Sequence, residues 1–151
     1  MKVCFTSSSG GHFEQLLMLK GLFGDYDSVV VTEKTLYNHQ FELCPIYFTK
    51  QVNRQNLLFI FPLFYNVLFS LYILMKERPN LIVSTGVLST LPLCLFAKAC
   101  GRKVIYIESF AKVNSATLTG KVMYKIADVF YVQWPEMLKI YPKAKCVGGI
   151  Y

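Results

Sequence analysis

Lys2-Val-Cys-Phe-Thr-Ser-Ser-Ser-Gly-Gly-His12 runs a short apolar stretch, Val3 to Phe5, into small polar residues, two adjacent glycines and a histidine. The apolar-periodic Phe13, Leu16, Leu17 and Leu19 follow at once. This reads as strand, tight turn, helix. In an open α/β sheet such a turn lies at the carboxyl end of a buried strand, where the ligand crevice is kept. Glycine lets backbone approach closely, and the N–H groups of a first helical turn make an anion site. The adjacent glycines, with no third at the required offset, exclude the dinucleotide fingerprint. The missing Gly-Lys-Ser/Thr excludes a Walker loop. Two readings stand: Ser9, Gly10, Gly11 and His12 hold an anionic or phosphate-bearing ligand, or the stretch is a plain strand-to-helix turn.

Outward from this loop, the pattern alternates. An amphipathic helix is expected over Phe13 to Phe23, stopped near Gly24-Asp25. The β-branched Ser28 to Thr32 reads as a second parallel strand in a sheet covered on both faces. Glu33 to Leu43 reads as a short helix or loop, with His39 a surface histidine, and Pro45 to Phe48 as a third strand. Further strands are expected at Leu81 to Thr85, Lys103 to Ile107, Val129 to Val132 and Cys146-Val147. Helices are expected from Pro92 to Cys100, where Gly101 caps, and from beyond Thr117 to Ala127, and Gln133 to Glu136 are expected to start a short one. Six or seven strands with intervening helices make one doubly wound α/β domain over 1–151.

Between Leu57 and Met75 the chain carries no charge, and Lys50, Arg54, Lys76 and Arg78 flank this stretch. About 20 apolar residues span a bilayer. Spanning here would put neighbouring strands of one sheet on opposite sides of a membrane, and Pro62 and Asn66 interrupt the run. The stretch therefore reads as a crossover helix, apolar nearly all round. One face covers the sheet. The other, with Phe61, Phe64, Leu68 and Leu71 between Arg54 and Lys76, meets a bilayer surface or a partner protein; the alternative is a wholly buried helix.

Composition agrees. Of 151 residues, 54% are hydrophobic and 17% charged, against about 45–50% and about 25% in ordinary domains. The net charge of +7 favours an anionic partner. Scattered lysines without a basic stripe or zinc-finger spacing argue against nucleic acid. The five cysteines form no CxxC pair and read as buried thiols in a reducing compartment. No metal site is supported, no cofactor is implied, and no signal peptide is expected from the opening residues.

Three strand tips carry the polar groups: Ser8 to His12, Ser84-Thr85-Gly86, and Glu108-Ser109, with Asn114 just beyond. In a doubly wound sheet they can converge on one crevice. Glu108 is the carboxylate directly at a tip. It is either a general base or sugar-hydroxyl acceptor, or a carboxylate satisfying a helix N-terminus. His12 is either a proton acceptor or a phosphate hydrogen-bonder. Of the two, Glu108 is expected to matter more for kcat and His12 for acceptor KM. No Ser–His–Asp order, nucleophile elbow or glycosidase carboxylate pair is present.

Several blocks together carry a resemblance: Ser8-Ser-Gly-Gly-His12, Arg78-Pro-Asn-Leu-Ile-Val-Ser-Thr-Gly86, Tyr106-Ile-Glu-Ser-Phe-Ala-Lys112, Leu118-Thr-Gly120, Ile126-Ala-Asp128 and Val132-Gln-Trp-Pro-Glu136. In that order the chain resembles the bacterial capsular or exopolysaccharide relatives of the membrane-anchoring subunit of the two-part N-acetylglucosaminyltransferase of lipid-linked oligosaccharide synthesis. More distantly it is similar to the acceptor-binding half of the peptidoglycan lipid-intermediate glycosyltransferase.

The resemblance implies a Rossmann-like domain equivalent to the amino-terminal half of a two-domain, GT-B type glycosyltransferase. A separate carboxyl-terminal-half subunit would bind the nucleotide sugar, in keeping with the end of the chain after Gly148-Gly149. Gly10, Gly11 and His12 would serve a polyprenyl-diphosphate-linked sugar acceptor. Ser9, Ser84, Thr85, Gly86, Glu108, Ser109 and Asn114 would complete the acceptor side. The protein would sit peripherally on the cytoplasmic face of the membrane and be inactive alone. Two other functions stay open: a self-sufficient small glycosyltransferase or nucleotide-sugar-binding enzyme, and a non-enzymatic binding module.

Overall fold

A computed structural model describes residues 1–35, 41–52, 57–86 and 88–151. His39 and Arg54 lie outside the described residues. The elements follow in the order β1 (Lys2–Thr6), α1 (Gly11–Leu17), β2 (Asp27–Glu33), β3 (Ile46–Thr49), α2 (Ile60–Glu77), β4 (Leu81–Ser84), α3 (Leu91–Ala99), β5 (Lys103–Ile107), α4 (Leu118–Ile126), β6 (Val129–Val132) and β7 (Lys145–Cys146). All strand pairs are parallel. The seven strands lie in the order β3-β2-β1-β4-β5-β6-β7. The chain leaves β1 in one direction and returns to β4 on the other side, so the topological switch falls between the tips of β1 and β4.

Each strand's continuous apolar run divides by the two-residue period. On one face Cys4, Val29, Val31, Ile82, Val104, Tyr106 and Phe130 pack with Ile73 of α2, Leu93 and Ala97 of α3 and Met123 of α4. On the other, Val3, Phe5, Val30, Val83 and Ile107 pack with Phe13 and Leu16 of α1 and with Phe23. The second face is less covered than the sequence pattern predicts. Among the described elements α1 and the 3₁₀ turn Lys20–Phe23 supply its helical cover. An open apolar trough of about 260 Å³ remains over β4, β5 and β6, lined by Leu81, Val83, Ile105, Ile107 and Tyr131 among others.

The first helix also departs from expectation. It stops at Leu17, and i→i−3 bonds from Leu19 to Leu16 and from Leu22 to Leu19 tighten the chain into the 3₁₀ turn. Gly21 weakens a regular continuation, and the tightened path seats Phe23 edge-on against Phe5, ring centres 4.6 Å apart. The last strand is Lys145–Cys146, one residue earlier than expected. The short helix after β6 is a 3₁₀ turn over Pro135–Lys139.

A 3₁₀ turn at Leu57–Phe59 leads into α2, whose first turn accommodates Pro62. Left-handed Arg78 ends it. Its buried residues are Asn66, Ser70, Ile73 and Leu74, while Phe61, Phe64, Leu68 and Leu71 are 72%, 62%, 53% and 36% exposed. The wholly buried alternative is therefore excluded. Asn66 grips the exit of β3, its amide donating to the Lys50 carbonyl at 2.7 Å and accepting the Lys50 N–H at 2.8 Å. Of the cysteines, Cys4 and Cys94 are buried and Cys100 is exposed, a correction to the buried-thiol reading. Burial pushes the Cys94 thiol up to about 12 and Cys44 to about 11.

Candidate functional site

Hydroxyls stitch the exit of β1 to β2: Thr6 Oγ1 donates to the Val31 carbonyl at 2.9 Å, and Thr32 Oγ1 to the Ser8 carbonyl at 3.1 Å. Ser9 is held by Glu33, whose carboxylate accepts from its N–H at 3.3 Å and its hydroxyl at 2.9 Å. Ser9 is thus turned to the β2 tip. Glu33 was not singled out from sequence, because nothing local marks a carboxylate that reaches across to a neighbouring strand. Gly10 then takes φ +66, the left-handed region that favours glycine. Its carbonyl accepts the N–H groups of Phe13 and Glu14, which starts α1. The amides of Gly11 and His12 make no hydrogen bond among the described residues.

His12 is tied to the neighbouring tip. Its Nδ1 lies 2.8 Å from the Thr85 carbonyl oxygen, and the Thr85 hydroxyl donates to the His12 carbonyl at 2.9 Å. A carbonyl only accepts, so Nδ1 carries the proton; in the neutral ring Nε2 keeps its lone pair. Gly86 has φ +114, and a Cβ there would stand 3.4 Å from the His12 ring and 3.1 Å from the Tyr106 hydroxyl. The positive φ favours glycine at 86, and a side chain there would also need the Tyr106 hydroxyl to give way by a few tenths of an ångström. Ser84 is buried and its hydroxyl accepts the Gly86 N–H at 3.3 Å.

The β1 and β5 tips share a cavity of about 320 Å³ lined by Gly11, His12, Gln15, Ser109, Phe110, Ala111 and Tyr151. The β4 tip reaches it through the Thr85–His12 pair. Asn114 is exposed and lies outside that lining.

Glu108 is set back from the cavity. It is 1% exposed and absent from the cavity lining. Its carboxylate accepts from the Ser109 N–H at 3.0 Å, the Thr117 hydroxyl at 3.1 Å and the Tyr141 hydroxyl at 2.9 Å. Thr117 is itself the N-cap of α4, accepting the Gly120 N–H at 2.7 Å. Gly120 presses so close that a Cβ there would stand 1.9 Å from Oε2. Burial and then the Glu108 charge push the Tyr141 phenol up, which keeps it a donor. The carboxylate thus braces Thr117 at the start of α4 through a hydroxyl and bonds no N–H of that helix.

Sequence reasoning also passed over Gln15, Phe110, Ala111 and Tyr151 in the cavity wall. Gln15 left one trace: a polar side chain beside the apolar positions Phe13 and Leu16. No group of three or more His, Cys, Asp or Glu side chains close enough for a metal occurs among the described residues.

Along α2 the exposed arc grades from Phe61, Phe64, Leu68 and Leu71 to aromatic rings topped by cations. Lys50 Nζ stands 4.4 Å over the Tyr65 ring, and Lys76 Nζ 5.0 Å over Tyr47 and 5.5 Å over Tyr72. By length and composition α2 is apolar enough to cross a membrane.

The family described as "Oligosaccharide biosynthesis protein Alg14 like" matches residues 20–150. The chain belongs to the Alg14-like family. The mouse (Mus musculus) protein named UDP-N-acetylglucosamine transferase subunit ALG14 is 32% identical over 108 residues, which covers 68% of this chain and 50% of that protein. The rat (Rattus norvegicus) protein of the same name is 28% identical over 173 residues, 95% of this chain and 80% of that one. The chain thus spans about half of the mouse relative.

Among solved structures, Acinetobacter baumannii MurG superposes with a TM-score of 0.71 at 18% identity, covering 90% of this chain and 43% of MurG. A UDP-N-acetylglucosamine 2-epimerase from Rickettsia bellii gives 0.75 at 15% identity, covering 99% and 45%. At such identities the likeness establishes the fold: this Alg14-like chain has the Rossmann-like architecture of one half of those larger proteins.

Proposed function

We propose that this chain is the acceptor-side, membrane-side subunit of a two-component glycosyltransferase. The acceptor is a polyprenyl-diphosphate-linked saccharide, the donor a nucleotide sugar held by a separate carboxyl-terminal-half subunit, and the setting capsular or exopolysaccharide synthesis at the cytoplasmic face. One observation carries the reading: His12, its Nδ1 fixed to the Thr85 carbonyl, stands in the wall of the cavity that joins the β1 and β5 tips. The relatives' name as subunits of a UDP-N-acetylglucosamine transferase supports it, and the open trough over β4 to β6 offers a partner apolar surface.

In this reading the acceptor hydroxyl oxygen bonds to the donor's anomeric carbon as the bond to the nucleotide diphosphate breaks. The hydroxyl proton passes to Nε2, and the resulting imidazolium is held by the Nδ1–H bond to Thr85. A base so placed contributes about 10²–10⁴-fold. Ser9, Gly10, Gly11, Ser84, Gly86, Ser109 and Asn114 form or frame the acceptor side, and Glu108 holds the β5 tip in place. The test is reconstitution: the purified chain with UDP-N-acetylglucosamine and a polyprenyl-diphosphate-linked N-acetylglucosamine transfers nothing, and adding the donor-binding subunit restores transfer. Robust turnover by the chain alone would reject the split.

A further inference from the structure

We infer that Gln15 and Gln133 are positioning residues that set the width of the cavity beside His12, and with it the placement of the acceptor; this rests on the reading above. Both side chains are buried, 1% and 6% exposed. Their amides converge on one atom, the Glu108 carbonyl oxygen, from Gln15 Nε2 at 3.3 Å and Gln133 Nε2 at 2.9 Å. The other end of each amide is also engaged. Gln15 Oε1 accepts the Phe110 N–H at 3.3 Å and Gln133 Oε1 the Ile150 N–H at 3.0 Å.

With Tyr131 accepting the Glu108 N–H and Trp134 donating to the Phe110 carbonyl, each backbone N–H and C=O from Glu108 to Phe110 is paired. The Tyr151 hydroxyl then donates to the Gly11 carbonyl at 3.2 Å. The contacts close a circuit around the cavity: along α1 from Gly11 to Gln15, across to Phe110 and Glu108, on to Gln133 and Ile150, and back from Tyr151 to Gly11.

Burying an amide costs free energy unless both its ends are bonded, and both ends of each glutamine are bonded; an apolar side chain of like length would fill either site but leave the Phe110 or Ile150 N–H without its acceptor. What the two glutamines supply is a fixed separation. Gln15 lies three residues after His12 on the same helix face, so it locks the His12 wall to the Ser109–Ala111 wall. Gln133 adds a second fixed point and brings in the tail. A displacement of about 1 Å in such a site costs on the order of a hundredfold in rate.

The experiment uses Gln15→Met and Gln133→Met in the reconstituted two-subunit enzyme, with the same lipid-linked N-acetylglucosamine as acceptor. Hydrogen exchange at the Phe110 amide should quicken at least tenfold in Gln15→Met, and at Ile150 in Gln133→Met. Acceptor KM should rise about tenfold in each while donor KM stays within twofold. The double variant should fall short of the product of the singles, because both act on one circuit. Quickened exchange with unchanged acceptor KM overturns the positioning role. Unchanged exchange overturns the circuit. A loss shared equally by donor and acceptor KM marks a merely structural role and also overturns it. Failure of the wild-type pair to use this acceptor would instead reject the functional reading, and the inference with it.

Discussion

His12 on α1 and Thr85 beyond β4 hold each other by two reciprocal bonds, Nδ1–H to the Thr85 carbonyl at 2.8 Å and the Thr85 hydroxyl to the His12 carbonyl at 2.9 Å. These residues lie just past the carboxyl ends of β1 and β4, the two strands that flank the topological switch, so the pair bridges the point where the sheet opens. Replacing His12 with Ala is expected to lower kcat of the reconstituted enzyme by about 10²–10⁴-fold. Thr85→Val removes only the hydroxyl bond and should cost about tenfold or less. Steady-state kinetics at saturating acceptor read the difference. If His12→Ala raises acceptor KM and leaves kcat intact, the imidazole orients the acceptor and the base lies in the partner.

Glu108 gives the opposite prediction. Its carboxylate faces three donors, and Gln there would turn an NH₂ toward one of them. Leaving a buried donor without a partner costs about 1–3 kcal/mol. Glu108→Gln is therefore expected to lower stability by that amount, seen in urea unfolding, with kcat within about threefold of wild type. Gly120→Ala should be worse still, since the new methyl meets Glu108 Oε2 and the Tyr141 and Thr117 hydroxyls at once. A large kcat loss at unchanged stability in Glu108→Gln would return the carboxylate to catalysis.

The contrast between these residues marks what the sequence made legible. Strand positions follow from apolar runs and small-residue tips, and the alternation with helices implies parallel order, so the architecture and the meeting of the β1 and β4 tips were readable. Side-chain direction at a tip was not. Ser109 and Glu108 are adjacent, yet one lines the cavity and the other turns beneath α4, a choice made by Thr117, Gly120 and Tyr141, beyond the tip itself. Gln15, Gln133 and Glu33 were hidden for the same reason: their partners sit 17 or more residues away.

Asp128 offers a pH test of the fold itself. Lys98 Nζ lies 2.8 Å from its carboxylate, the Val104 N–H donates at 2.9 Å, and Lys103 stands at 3.3 Å. The Lys98 contact first, then the Val104 bond, hold this carboxyl down at about 2, below the unfolded value of about 3.9. A depressed carboxyl stabilises the fold above its unfolded value and loses that contribution as pH falls through the folded one. Asp128→Asn should cost about 1–2 kcal/mol near pH 7, allowing for partial exposure. The gap between wild type and variant should shrink as pH drops from about 4 toward 2. A gap independent of pH would mean packing, not charge, holds the β5–β6 corner.

The surface of α2 separates a lipid contact from a protein contact. Its buried arc is Asn66, Ser70, Ile73 and Leu74, and Asn66 is clamped to Lys50. The exposed side chains Phe64, Leu68 and Leu71 therefore contribute little to folding, and Leu68→Asp with Leu71→Asp should leave the unfolding midpoint within about 1 kcal/mol of wild type, as surface changes usually do. The same pair should abolish cosedimentation with vesicles containing phosphatidylserine. Each basic residue near an anionic leaflet adds roughly 1 kcal/mol of attraction that decays within a Debye length. Lys50→Gln with Lys76→Gln should then weaken binding by about tenfold or more in low salt, and high salt should reproduce that loss in the wild type. Neutral phosphatidylcholine vesicles should retain only the apolar part of the affinity. If wild type ignores both vesicle types while the double aspartate variant fails to assemble with the donor-binding subunit, this face belongs to the protein interface, and the membrane contact must be sought elsewhere on the complex.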